Sequence, residues 1–222
     1  MLFYKKTINT LIIDDHPIIS KAYSNILKSS TGLDFVFKFA INCDESIKEL
    51  KRSPKDLILL DLQLPASEDK KFISGEDIGL WLRQHHPKTK ILILTAISDS
   101  ERIRSIIKTI NPEGFIIKSE MDSKDLIIAA KTILKDKRYY GQTIKNYNNN
   151  NNNNIEGQII NDIDRKILYH LSMGETNNVI ANLVCISKRT VEARKAKLKD
   201  ILNILKDSDS NLIKEAKRRN II

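Results

Sequence analysis

Four short apolar runs, at residues 11–13, 57–60, 91–94 and 114–117, each lead directly into polar side chains. The polar residues that follow the runs are Asp14 with Asp15, Asp61, Thr95 and Lys118. Continuous apolar runs of this length, separated by helical patterns, are typical of strands that are buried on both faces of a parallel sheet. Because parallel strands end at the same edge of a sheet, we expect an acidic group, a hydroxyl and a lysine to meet in one crevice.

Helical patterns fill the gaps between the apolar runs, so the chain alternates strand and helix five times. The predicted strands are 8–13, 34–39, 56–60, 90–94 and 114–117. This alternation predicts an α/β domain with a doubly wound, five-stranded parallel sheet. In the flavodoxin-like order of such sheets, the first and third strands flank the crevice where ligands bind, which is where Asp14, Asp15 and Asp61 are expected.

A polyasparagine tract at residues 148–154 interrupts the pattern and has no apolar residue from which to build a core. We therefore predict an α/β domain over residues 1–136, a flexible linker over 137–157 and a small all-α domain over 158–222. The two cysteines, Cys43 and Cys185, have neither disulfide nor metal-ligand spacing. The first apolar run stops at Asp14, too soon for a signal peptide or a membrane span, so we expect a cytoplasmic protein without membrane association.

The three carboxylates at the predicted strand ends form an all-oxygen set, which suits Mg²⁺. One carboxylate of such a site can act as a nucleophile toward phosphorus and form an aspartyl phosphate. Asp61, alone at its strand end, is the predicted nucleophile. Lys118 is expected to pair with the phosphoryl group, and the Thr95 hydroxyl to donate to one of its oxygens. Phe115 fits two roles, a core residue or a switch.

The set Asp14-Asp15, Asp61, Thr95-Ala96 and Gly114-Phe115-x-x-Lys118 resembles the receiver domain of two-component response regulators, over roughly residues 5–136. The resemblance implies that Asp61 accepts phosphate from a sensor histidine kinase. It also implies that Asp14, Asp15, Asp61 and the Gln63 backbone carbonyl hold Mg²⁺. Phosphorylation would then draw Thr95 toward the phosphate and let Phe115 turn inward.

The stretch between Asp61 and Gly75 is several residues longer than is usual in that family. Its polar centre, Ser67 to Lys71, is predicted to lie beside the phosphorylation site. It either shields the acyl phosphate, contacts the kinase, or is a tolerated surface insertion.

The C-terminal stretch has helix signals in series. Apolar residues at helical spacing over 160–172 end before Gly174, and Thr176 and Ser187 can cap two further helices. Helix, short turn and capped basic helix form a helix-turn-helix pattern. Residues 188–199 hold six basic residues against Glu192 alone, which suits phosphates, although such a run is also found on solvated helix faces.

Residues 158–205 resemble the LuxR-type helix-turn-helix, through Ala181, Leu183, Ile186-Ser187 and Thr190-Val191-Glu192. Together with a receiver domain this is the NarL/FixJ class of regulators, although Arg194 stands where that family usually has His. The predicted DNA-binding residues are Lys188, Arg189, Thr190, Glu192, Ala193, Arg194, Lys195 and Lys199. Glu192 can accept from a cytosine amino group or pair with Arg189 or Lys195 on its own helix.

These patterns predict a DNA-binding transcription regulator that is not an enzyme beyond its own phosphorylation and dephosphorylation. Its expected partners are a sensor histidine kinase, double-stranded DNA and, when phosphorylated, a second copy of the chain. Two alternatives remain: a receiver that acts by protein contact without phosphate, and a Mg²⁺-dependent phosphohydrolase. The phosphohydrolase needs an acid/base partner that the sequence Asp61-Leu62-Gln63 does not supply.

Overall fold

The computed structural model describes residues 7–30, 32–149, 160–204, 208–219 and 221–222. The chain forms two compact units, which are described separately below. Residues 150–157, which hold most of the asparagine tract and the end of the predicted linker, lie outside the described residues, so the predicted domain boundaries stay predictions. Within the described ranges, no helix combines the length and the apolar character needed to cross a membrane.

The first unit contains a parallel sheet covered by helices. Its strands are β1 (Thr7–Ile13), β2 (Asp34–Ala40), β3 (Leu57–Leu60), β4 (Lys90–Thr95), β5 (Gly114–Ile117) and β6 (Tyr139–Tyr140). Its helices are α1 (Pro17–Ser30), α2 (Cys43–Arg52), α3 (Gly75–His85), residues 106–110 of α4 (Ser100–Ile110), α5 (Ser123–Ile133) and α6 (Gln142–Asn149). Residues 100–105 of α4 belong to the second unit. The strand order β2-β1-β3-β4-β5-β6 confirms the predicted α/β fold. The sheet has one more strand than predicted, because the short β6 pairs with β5.

The central strands of the sheet are buried on both faces, as their continuous apolar runs predict. Every residue of β3 and β5 is buried. On one face, alternate residues of the strands, such as Ile12 and Leu59, pack with Leu27 of α1 and Ala130 of α5. Strand residues that point to the other face, such as Ile58, are equally buried. Packing on both faces therefore fixes the positions of the strand ends.

Part of the stretch predicted as linker is ordered against the sheet. The Gly141 amide donates to the carbonyl oxygen of Phe115 at 2.9 Å and so extends the β5–β6 pairing. The Ile144 side chain of α6 is fully buried. Segment α6 is therefore attached to the sheet by both backbone pairing and apolar burial.

The second unit described includes the C-terminal helices α7 (Asp162–Ser172), α8 (Asn177–Leu183), α9 (Lys188–Ile201) and α10 (Asp209–Arg218). The Thr176 and Ser187 side chains cap α8 and α9, as predicted. Gly174, just after α7, has φ of +83°, a conformation that favours glycine. Apolar residues from all four helices, among them Leu168, Ile180 and Val191, form one core. The predicted all-α C-terminal region is thereby confirmed.

Candidate functional site

Two carboxylates lie buried where β1 and β3 end. Asp14 follows β1 directly and Asp61 follows β3, and their exposed fractions are only 2% and 4%. The Asp61 amide donates to the Ile13 carbonyl oxygen at 2.8 Å, which ties the two strand ends together. Two buried carboxylates at neighbouring strand ends require compensation by a cation or by hydrogen-bond donors.

Lys118 provides that compensation from the end of β5. Its Nζ lies 2.7 Å from Asp14 Oδ2 and 2.6 Å from Asp61 Oδ2, so one ammonium group bridges both carboxylates. Burial raises the pKa of Asp61, while hydrogen bonds from Lys118 and from the Gln63 amide oppose that rise. Burial lowers the pKa of Lys118, but its hydrogen bonds to Asp14 and Asp61 outweigh this effect and the pKa is raised. The lysine is therefore held in its charged form.

Further contacts fix the carboxylates in orientation. The His16 amide donates to Asp14 Oδ1 at 2.9 Å, and the Gln63 amide donates to Asp61 Oδ1 at 3.0 Å. Asp15 is less buried, and its Oδ1 lies 2.6 Å from His16 Nδ1. Ligand atoms of Asp14, Asp15 and His16 lie within 4.8 Å of one another, close enough to share a metal ion. The hard carboxylate oxygens fit the preference of Mg²⁺.

The two predicted switch residues are fully buried on neighbouring strands. Thr95 ends β4, and its Oγ1 accepts a hydrogen bond from the Ile97 amide at 3.2 Å. Phe115 lies on β5 opposite Ile93 of β4. Phe115 is thus a core residue here, and its part in switching stays a prediction.

Gly75, which was not predicted to have a functional role, supports the site from α3. A Cβ atom at this position would lie 1.9 Å from the Asp61 carbonyl oxygen, and the Gly75 amide donates to the Leu62 carbonyl oxygen at 3.0 Å. Ser74, which precedes it, caps α3 within a capping box. The helix can therefore begin directly against the backbone of Asp61 only because residue 75 has no side chain.

The additional loop after Asp61 is held by hydrogen bonds within the loop and by a hydrogen bond to α2. Ser67 is buried, its amide donates to the Phe72 carbonyl oxygen at 2.8 Å, and its Oγ donates to Asp69 Oδ1 at 2.8 Å. The Glu68 amide donates to Asp44 Oδ2 at 3.0 Å, at the first turn of α2. The loop is thus a structured element, which leaves open the three roles considered for it.

The predicted DNA-binding residues of α9 differ in exposure. Exposed members are Lys188, Arg189, Glu192 and Ala193, whereas Thr190, Arg194 and Lys199 are half-buried and Lys195 is buried. The buried and half-buried cations form ion pairs within the C-terminal helices: Arg194 with Asp164, and Lys195 and Lys199 with Asp209. Glu192 lies 4.0 Å from Lys188 on the same helix, a partner other than the two considered from the sequence.

A family model described as the response regulator receiver domain matches residues 10–131, more than half of the chain. The chain belongs to the response regulator family. The matched residues span every strand end that carries the buried carboxylates, Thr95 and Lys118. The predicted resemblance to response regulators is thereby confirmed.

Similar proteins extend over both halves of this response regulator. The oxygen regulatory proteins NreC of Staphylococcus epidermidis and Staphylococcus aureus are 26% and 25% identical to it, covering 96% of this chain and 98% of theirs. A structure of RcsB from Salmonella enterica serovar Typhimurium, bound to promoter rprA in the presence of the phosphomimetic BeF3-, superposes with a TM-score of 0.69. It is 17% identical and covers 96% of this chain and 99% of its own, so it supports the fold of each of the two units.

Proposed function

We propose that this response regulator accepts a phosphoryl group on Asp61 and, once phosphorylated, controls transcription by binding DNA through its C-terminal helices. The observation that carries the proposal is the single Lys118 ammonium group bridging two buried carboxylates, Asp14 and Asp61. Such an arrangement places a cation where a phosphoryl group on Asp61 would need it.

The positions of these groups support the following transfer step. An Asp61 carboxylate oxygen attacks phosphorus of the phosphohistidine of a sensor histidine kinase, the bond between phosphorus and the histidine nitrogen breaks, and the imidazole departs with that electron pair. Asp14, Asp15, Asp61 and the Gln63 carbonyl would hold Mg²⁺, which supplies charge neutralisation for the transferred oxygens. Lys118 exchanges its contact with Asp61 for one with the phosphoryl group. The Thr95 hydroxyl donates to a phosphoryl oxygen.

The switch needs a difference in stability between two conformations rather than new chemistry. Moving a two-state population from 1:99 to 99:1 requires about 5.5 kcal/mol of differential stabilisation. A divalent phosphoryl group that meets the half-buried Lys118 and Mg²⁺ would supply stabilisation of this kind, because charge-assisted hydrogen bonds are stronger than neutral ones. Phe115 would report the switch by turning inward as Thr95 moves.

The C-terminal helices would read double-stranded DNA, with α9 in the major groove and two copies of the chain on adjacent half-sites. The RcsB structure bound to a promoter supports this proposal, as does the likeness to NreC over nearly the full length. Its partners would then be a sensor histidine kinase, DNA and a second copy of the chain. The only chemistry of the protein would be its own phosphorylation and dephosphorylation, in the cytoplasm.

The proposal is tested on the full-length chain before and after incubation with acetyl phosphate and Mg²⁺. Light scattering coupled to chromatography measures the oligomeric state, and a pool of random-sequence duplexes measures selection of DNA sites. The proposal expects a dimer and site selection only after treatment, and neither in Asp61→Asn. Equal selection with and without phosphate, in both proteins, would instead identify a phosphate-independent regulator.

A further inference from the structure

The basic residues of α9 occupy two different environments. One group forms ion pairs with α7 and α10 and a hydrogen bond with α8, and another group is exposed on a different face of α9. A cation that is already paired inside the domain is not available to a phosphate without breaking that pair. The two groups should therefore have separate roles.

The inner group consists of cations that join α9 to the other helices. Arg194 Nη1 lies 2.7 Å from Asp164 Oδ1, and Asp164 is itself a member of the capping box that begins α7. Lys195 Nζ lies 2.6 Å from Asp209 Oδ2 and 3.0 Å from Asn177 Oδ1. The Lys195 side chain is only 10% exposed, so removing it from Asp209 would leave charge poorly compensated.

The outer group lies on one face of α9. At about 100° per residue, Arg189, Ala193 and Ala196 fall on one stripe, with Lys197 along one flank and Glu192 along the other. All five residues are exposed. Within the described parts of the chain neither Arg189 nor Lys197 takes part in an ion pair. The guanidinium group of Arg189 and the ammonium group of Lys197 are therefore available to a ligand.

We propose that Lys197 and Arg189 are cations with which α9 contacts DNA phosphates, and that Arg194 and Lys195 are positioning residues that do not touch DNA. This proposal rests on the proposed function of DNA binding. Ala193 and Ala196, between the two cations, are small enough to let the helix backbone approach the base edges. Their methyl groups suit contact with thymine methyl groups in the major groove.

The salt dependence of binding separates the two groups, because each phosphate contact adds about 0.9 to the slope of log K against log salt. The assay uses the full-length, phosphorylated chain and a duplex that the wild-type chain has selected from a random pool. Lys197→Gln should reduce the magnitude of this slope by about 0.9 per bound domain. Raising the salt from about 50 to 200 mM should then weaken DNA binding by Lys197→Gln about 3.5-fold less than it weakens binding by the wild-type chain. Lys195→Gln should leave the slope unchanged.

Two further variants keep the test decisive if Lys195→Gln lowers stability. Asp209→Asn breaks the same ion pair without removing a cation, and should shift the thermal midpoint in the same direction as Lys195→Gln with no change of slope. Lys214→Gln removes an exposed charge from α10 and serves as the charge control. A drop in slope in Lys195→Gln but not in Lys197→Gln overturns the assignment. Failure of the wild-type chain to select any duplex would instead overturn the proposed function itself.

Discussion

Replacing Gly75 by alanine tests how closely α3 is fitted against the phosphorylation site. The added Cβ would lie 1.9 Å from the Asp61 carbonyl oxygen and 2.9 Å from Leu62 Cα, both of them backbone atoms. An ordinary contact between carbon and oxygen is about 3.3 Å, so the backbone of Asp61 and α3 must separate by roughly 1.4 Å. A misplacement of about 1 Å can lower a reaction rate about 100-fold. Overpacking of this kind also lowers the free energy of unfolding by about 1–3 kcal/mol.

The rate of phosphorylation of Gly75→Ala by acetyl phosphate, measured by intact mass against time, should therefore fall about 100-fold. Gly79→Ala is the matched control on the same helix. Its Cβ would meet only the Ile110 side chain, at 2.7 Å, which can shift without moving Asp61. Gly79→Ala should keep a rate within a few-fold of the wild-type chain. A Gly75→Ala protein with wild-type rate and thermal midpoint would refute the close fit.

Three further outcomes are expected. Ile144→Ala removes a fully buried side chain, so the local stability of α6 should fall by about 2–5 kcal/mol and hydrogen exchange of residues 142–147 should quicken. Lys145→Ala removes only an exposed side chain whose ammonium group lies 5.7 Å from the Tyr139 ring centroid, and should quicken exchange much less. Burial and then the Asp125 carboxylate raise the pKa of Tyr139 from 10.0 to about 12, so the protonated phenol stabilises the folded state and this contribution should be lost as pH rises from 10 to 12. Asp125→Asn should lower the pKa of Tyr139 in an absorbance titration. Burial raises the pKa of Asp209, but the hydrogen bond from Lys195 outweighs burial, and the pKa lies below its ordinary value of 3.8. The free energy of unfolding, measured with denaturant, should therefore fall as pH drops below 3.8, and should fall less in Asp209→Asn.

The receiver fold and its strand ends are well predicted by sequence because buried parallel strands produce continuous apolar runs. The same pattern places Asp14, Asp61 and Lys118 at one edge, where the structure brings them within hydrogen-bond distance. The short β6 was not predicted, because two tyrosines carry no periodicity of their own and pair only through β5. Gly75 likewise gives no signal beyond a helix start, since its importance depends on the position of Asp61.

The contacts of α9 were the least predictable part. Charge and helical position suggest that Arg194 and Lys195 project outward, but their acidic partners, Asp164 and Asp209, lie 30 and 14 residues away in the chain. Only the packing of α7 and α10 around α9 brings these partners together. Local sequence can identify a basic helix but not which of its cations are already paired.

The most direct test of the central claim is the intact mass of the chain after incubation with acetyl phosphate, with Mg²⁺ and with a chelator in its place. The account predicts a gain of one phosphoryl group in the wild-type chain with Mg²⁺, no gain with the chelator, and no gain in Asp61→Asn. Asp69→Asn, which changes an exposed carboxylate on the loop that follows, should gain the group as the wild-type chain does. A wild-type chain that gains no mass, or an Asp61→Asn chain that gains as much as wild type, would contradict the assignment of Asp61 as the phosphoacceptor.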